Sequence, residues 1–157
     1  MKLLVSKKLN KDSHIFPVVL GMLLFFAGAL VLNTLFMHMK ISLIPSQAAE
    51  TIFGNEESFL EPVLFEELAF IVHMEFFFFM IVTLLSFFVH YRLFEKRKST
   101  KRLIMVTFLI QASLLSLLFA PMGSRMLVYI FTGGFCSSEI FLLYIIAESV
   151  FRMYKNG

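Results

Sequence analysis

The chain has 157 residues, 59% of them hydrophobic, a mean hydropathy of +0.83 and a formal net charge of +3. That apolar share exceeds what a soluble domain of this length carries, and it is gathered into four stretches that leave no room for a separate soluble domain. The basic excess is sorted by position along the chain and not gathered in a patch, which argues for membrane topology and against a nucleic-acid partner.

The stretches are Ile15–Met37, Leu68–Tyr91, Leu103–Met122 and Met126–Ala147. Each has the roughly 20 residues that a helix needs to cross a hydrocarbon core of about 30 Å. The expectation is a polytopic, all-α membrane protein with one membrane domain over residues 1–157, an up-down four-transmembrane-helix bundle. Every backbone polar group is then satisfied inside its own helix, as the bilayer requires. If the chain weaves up and down, all of the 14 Lys and Arg residues except Lys40 and Arg125 fall on one side. The positive-inside rule then gives N-in/C-in, with both termini cytoplasmic and the protein multi-pass in the inner (cytoplasmic) membrane.

Residues 1–14 form a basic segment suited to an anionic lipid surface. A basic start, an apolar run and Ala27-Gly28-Ala29 imitate a signal peptide. The run continues to Met37, beyond the about 7–15 residues of an h-region, so a retained first span is expected. Pro17 suits the start of that helix, where its missing N–H is harmless. Gly21 and Gly28 share one face and permit close helix packing. The outer loop, residues 38–67, is acidic, with turn signals at Pro45 and Phe53-Gly54-Asn55-Glu56. Around Glu61–Glu67 the pattern turns helical, with Pro62 in the first turn and Glu61 near the N-terminal dipole.

The inner loop, residues 92–102, carries six basic residues that fix topology or meet an anionic partner. Ala112, Ser116 and Ala120 recur at four-residue spacing in the third helix, as do Gly133/Ser137 and Gly134/Ser138 in the fourth. With only Gly123-Ser124-Arg125 between them, these two helices should pack as a tight hairpin. Cys136 is the one cysteine, so no intrachain disulfide forms. With Trp absent, an interfacial aromatic belt rests on Tyr91, Tyr129, Tyr144 and Tyr154.

Polar side chains at membrane depth are the candidate functional residues. Glu139 lies about 20 Å from the outer end of its helix and Gln111 about 12 Å from the inner end of its own, at 1.5 Å per residue. These depths nearly coincide, so a midplane Glu139–Gln111 hydrogen bond is expected, fixing register or handling a proton or cation. His73 and Glu75 lie in the outer part of the second helix, about 200° apart around its axis, so one helix cannot point both at one metal ion. His38 and Asn33 are at a similar level on the first helix. A His38–His73 pair could hold a metal or haem iron; the alternative is two interfacial histidines bonded to water, headgroups or loop carboxylates. His14 and His90 read as interfacial, and Glu148 with Arg152 as an i,i+4 anchor.

Ile71-Val72-His73-Met74-Glu75-Phe76-Phe77, the basic turn before Arg102-Leu103-Ile104 and the late Gly133-Gly134 together resemble a group of small uncharacterised four-helix bacterial integral membrane proteins. The likeness runs from about Gly21 to Tyr154. Members of that group carry His-x-His at the start of their second helix, a pattern similar to haem-binding helices of respiratory oxidases. Here Glu75 stands where the second His would be. The resemblance brings no established activity with it.

GxxxxGK[ST], GxSxG, HExxH and CxxC are all absent, and no catalytic constellation is visible, so an enzyme is not expected. Three readings follow. The first is an accessory or oligomer-forming subunit, its partners being the bilayer and other membrane subunits or itself, packed through small-residue faces. The second is a haem- or quinone-binding electron-transfer module using His73 with His38 or Glu75. The third is a proton-coupled small transporter using Glu139.

Overall fold

The computed structural model describes residues 14–93 and 97–156. The basic segment before residue 14 therefore lies outside the described residues, as do the side chains of residues 91–100 in the basic inner loop. The described chain is all-helical: α1 Ile15–Lys40, α2 Pro45–Phe53, α3 Phe65–Leu93, α4 Arg97–Phe119 and α5 Arg125–Asn156. Short 3-10 turns occupy Glu56–Ser58 and Ala120–Met122. Four helices are long and apolar enough to cross a membrane, over Ile15–Lys40, Phe65–His90, Lys101–Met122 and Arg125–Lys155.

All four run past the apolar stretches that announce them. Helical hydrogen bonding is internal to the backbone and continues into the charged flanks at Lys40, Glu66, Arg97 and Lys155. The second long helix begins at Phe65 and not at Glu61; Pro62 stays in the extended lead-in, and Glu66 and Glu67 occupy the first turn, next to the positive end of the dipole. The acidic loop also holds a short helix. Pro45 sits in the first turn of α2, where its fixed φ starts the helix, so the residue that signals a turn is here a helix opener. Ser42 precedes it with φ 67°, its Oγ accepting from the Ile44 N–H at 3.2 Å and donating to Gln47 Oε1 at 3.0 Å. Gly54 closes α2 with φ 78°, and a Cβ there would meet Leu60 O at 2.9 Å, so only glycine fits.

The core of the bundle forms where α3, α4 and α5 meet. Phe79 of α3 packs edge-on to Phe135 of α5 at 5.6 Å between ring centroids, and Phe131 extends the cluster. α4 and α5 are in tight contact at Gly134, where an added Cβ would lie 2.8 Å from Ser113 Cβ. The small-residue seam thus uses Gly134 and Ser138 of α5, Ser113 and Ser116 of α4 and Ala120 of the turn that follows it, all buried or half-buried. Ala112, Gly133 and Ser137 face outward instead: Gly133 and Ser137 are each one residue, about 100°, from the buried Gly134 and Ser138, and Ala112 lies one drift of about 40° before Ser116.

α1 lies against α5 and α3. Over its most apolar window 17% of residues are buried, against 39–44% for the other three spans. The Phe16 ring meets Tyr154 at 5.7 Å. α2 lies against α5 and the Ala120–Met122 turn.

Candidate functional site

α1 is apolar from Ile15 to Met37 except for two consecutive hydrogen-bonding side chains, Asn33 and Thr34. Adjacent residues on a helix point about 100° apart, so together they present a broad polar sector to the helices behind. Asn33 Nδ2 donates to Glu75 Oε2 of α3 at 2.8 Å. Thr34 Oγ1 lies 2.6 Å from Glu139 Oε2 of α5 and 3.0 Å from Leu30 O, and its single proton serves one acceptor at a time. The Asn33 amide also faces Glu139, and the two carboxyls are within electrostatic reach of each other.

Glu75 is 4% exposed and Glu139 is 2% exposed. Among the described residues neither carboxyl has an ion-pair partner, and Glu139 Oε1 is buried with no hydrogen-bond partner. A buried carboxylate with a free oxygen is costly unless something balances it. Three helices therefore converge on a compact oxygen-rich site at membrane depth, with one acceptor left open. Cys136 stands half-buried one turn before Glu139 on α5.

The other residues singled out in the sequence lie elsewhere. Gln111 does not meet Glu139. It lines a hollow between α3 and α4, while the α5-facing side of α4 is taken up by the Ser113–Gly134 contact. Equal depth on two helices does not fix rotation about their axes. His73 and Glu75 face opposite ways: Glu75 is interior, and His73 is exposed beside Val72, Phe76 and Leu118. His38 is exposed at the end of α1, where its Nδ1 accepts from the Leu43 N–H at 3.2 Å and so serves the α1 terminus. It does not line the hollow beside His73. Among the described residues no group of three or more His, Cys, Asp or Glu is arranged to hold a metal ion.

His90, at the end of its span, is buried within the bundle, with Nδ1 3.1 Å from Ser149 Oγ. Near it, Glu148 lies 3.9 Å from Arg102, a partner on α4 in addition to the one residue spacing offers within α5. Thr34 is the member of the site that the sequence analysis does not single out. Its signal was its position: with Asn33 it forms the one polar break in α1.

Comparison with known proteins finds no matching family model, no similar curated protein and no similar solved structure.

Proposed function

We propose that this is a small up-down, N-in/C-in inner-membrane protein that binds and releases a proton at Glu75 and Glu139 and couples that event to transport. The observation that carries the reading is the Asn33–Thr34 step bridging two buried carboxyls, with Glu139 Oε1 open. Two carboxyls at this depth without an ion-pair partner need a mobile positive charge, and a proton is the smallest that fits. A small alkali cation is the other candidate, since carboxylate, amide and hydroxyl oxygens all suit hard ions. The side chains at the site already hydrogen-bond to the carboxyls, which makes them ready to hold either form.

Contacts at one end of the bundle support the topology. Phe16 with Tyr154, His90 with Ser149 and Arg102 with Glu148 all gather there. That end also carries Lys101, Arg102, Arg152 and Lys155, on the side the positive-inside rule puts in the cytoplasm.

The test is reconstitution in liposomes with a trapped pH dye and an imposed potassium diffusion potential. The wild-type protein should admit protons, and Glu139→Gln should abolish the flux while leaving the fold intact. A Glu139→Gln protein that differs only in thermal stability would reduce the site to an interhelical hydrogen bond. Dependence of the flux on sodium would select the alkali cation.

A second reading draws on α1. Its outward face carries Leu24, Phe25, Leu32 and Leu35 beside Gly21 and Gly28, and neither glycine has a neighbouring atom within 4 Å of a built Cβ. Such a face suits another membrane helix, from a second copy or from an accessory partner. Sizing of the protein in mild detergent or nanodiscs tests it; a strict monomer sinks it.

A further inference from the structure

The hollow between α3 and α4 has a volume of about 320 Å³, at the lower end of the range for small-molecule sites. Phe76, Phe79 and Phe87 of α3 supply aromatic walls, and among the described residues no charged side chain lines it. Its polar groups are Thr83, Thr107 and Gln111. The Thr107 hydroxyl is engaged, donating to Leu103 O at 2.9 Å. The Thr83 hydroxyl is not: it is buried, 7% exposed as a residue, and has no hydrogen-bond partner. A threonine in a helix ordinarily donates to the carbonyl one turn back. Thr83 lines the hollow while its hydroxyl oxygen is closed off and unpaired, an arrangement that native structures rarely keep without a partner.

The occupant's chemistry follows from these walls. The lining described at this depth is uncharged, which disfavours an ion, since it would arrive desolvated and unpaired. A phospholipid acyl chain would fill the space but offers only methylenes at this level. Thr83 is seven residues from His90 at the end of its span, about 10 Å into the core, whereas acyl esters stay at the interface. A ligand that satisfies Thr83 must carry its own acceptor into the hydrocarbon on a body that suits phenylalanine faces.

We propose that this hollow binds a neutral, ring-bearing lipophile with a carbonyl acceptor, of which a benzoquinone headgroup is the chemical type. Thr83 Oγ1, turned to the wall about χ1 when the ligand enters, is its hydrogen-bond donor and the Gln111 amide its second polar contact. The adjoining hollow beside His73 shares Phe76 and Met80 with it and offers room for an apolar tail.

The chain has no tryptophan, so a single introduced indole reports one location. Leu84→Trp places it on the cavity wall and Phe25→Trp on the outward face of α1. Full-length protein in nanodiscs is titrated with a decyl-substituted benzoquinone, with decylbenzene as competitor. Quenching at Leu84→Trp should saturate, while quenching at Phe25→Trp should rise linearly with quinone in the bilayer. In the Leu84→Trp background, Thr83→Val should raise the half-saturation point about five- to tenfold, the effect of losing one buried hydrogen bond. Thr83→Ser should restore it. Gln111→Leu should weaken binding independently, which covers the case in which Thr83→Val fails to fold. Linear quenching at both indoles would overturn the proposal. So would half-saturation unchanged in both Thr83→Val and Gln111→Leu, or displacement of the quinone by decylbenzene at equal concentration.

Discussion

The α4–α5 seam and the seat of α1 hold their helices by different means. At the seam, small residues let two backbones close up, and Gly134 sits against Ser113 with no room for a methyl group. α1 has few buried residues, and its long-range polar bonds, Asn33 to Glu75 and Thr34 to Glu139, go to the carboxyls of the candidate site. In lipid there is no hydrophobic drive to press a helix against its neighbours, so packing and hydrogen bonds carry the association. The seam is therefore built to stay closed. The seat of α1 rests in part on groups whose hydrogen bonding changes when a proton or cation arrives. Under the proposed function, a bound ion and the position of α1 would be linked for that reason.

The largest effect expected of a single change is at the seam. Gly134→Ala puts a Cβ 2.8 Å from a neighbouring Cβ that is fixed to its own backbone, so the helices must part. Overpacking of this kind costs about 1–3 kcal/mol, readable as a loss of resistance to denaturing detergent. Gly133→Ala, one residue away with nothing within 4 Å, should leave that resistance unchanged. Equal sensitivity at the two glycines would break the account of the seam.

Next in size are the bonds that seat α1. Asn33→Leu and Thr34→Val should each destabilise the bundle by about 0.6 kcal/mol, with about 1.7 as the upper range for such bonds in membranes. A double-mutant cycle of Asn33→Leu with Glu75→Gln should show coupling, and one of Asn33→Leu with Gly134→Ala should not. The distinguishing readout is local: cysteines placed across α1 and α3 should cross-link more slowly in Asn33→Leu, while a pair across α4 and α5 keeps its rate. Uniform slowing at both would mean that α1 is no more loosely held than the rest.

The contrast also marks where sequence reasoning stops. The four spans are legible because the bilayer demands long apolar runs, and the depths of Glu75, Glu139 and Asn33 follow from counting residues. Rotation about the helix axis is not legible in the same way. Gln111 and Glu139 share a level yet point to different neighbours, and His38 and His73 share a level at separate places in the bundle. The alternation of His73 and Glu75 could be read, since both lie on one helix. The pairing of Glu75 with Asn33 could not, because it depends on where α1 docks. α2 escaped notice because Pro45 serves equally well to turn a chain and to start a helix.

The smallest effect should come from the glycines of α1, and it is the most discriminating. Gly21 and Gly28 have open space around them, so Gly28→Leu adds apolar surface to a face already carrying Leu24, Phe25 and Leu32. Leucine is also the better helix former, by several tenths of a kcal/mol. The isolated bundle should therefore keep its stability within about 0.5 kcal/mol, and proton flux through Glu139 should be unaffected in a protein that acts alone. If a second helix packs on this face, the same change blocks the close approach that glycine allows, and the assembly dissociates in detergent or nanodiscs. Dissociation with a lost flux would make the seat of α1 an interface in the working protein. Dissociation with the flux intact would confine the site to one chain, and no dissociation would leave α1 facing lipid.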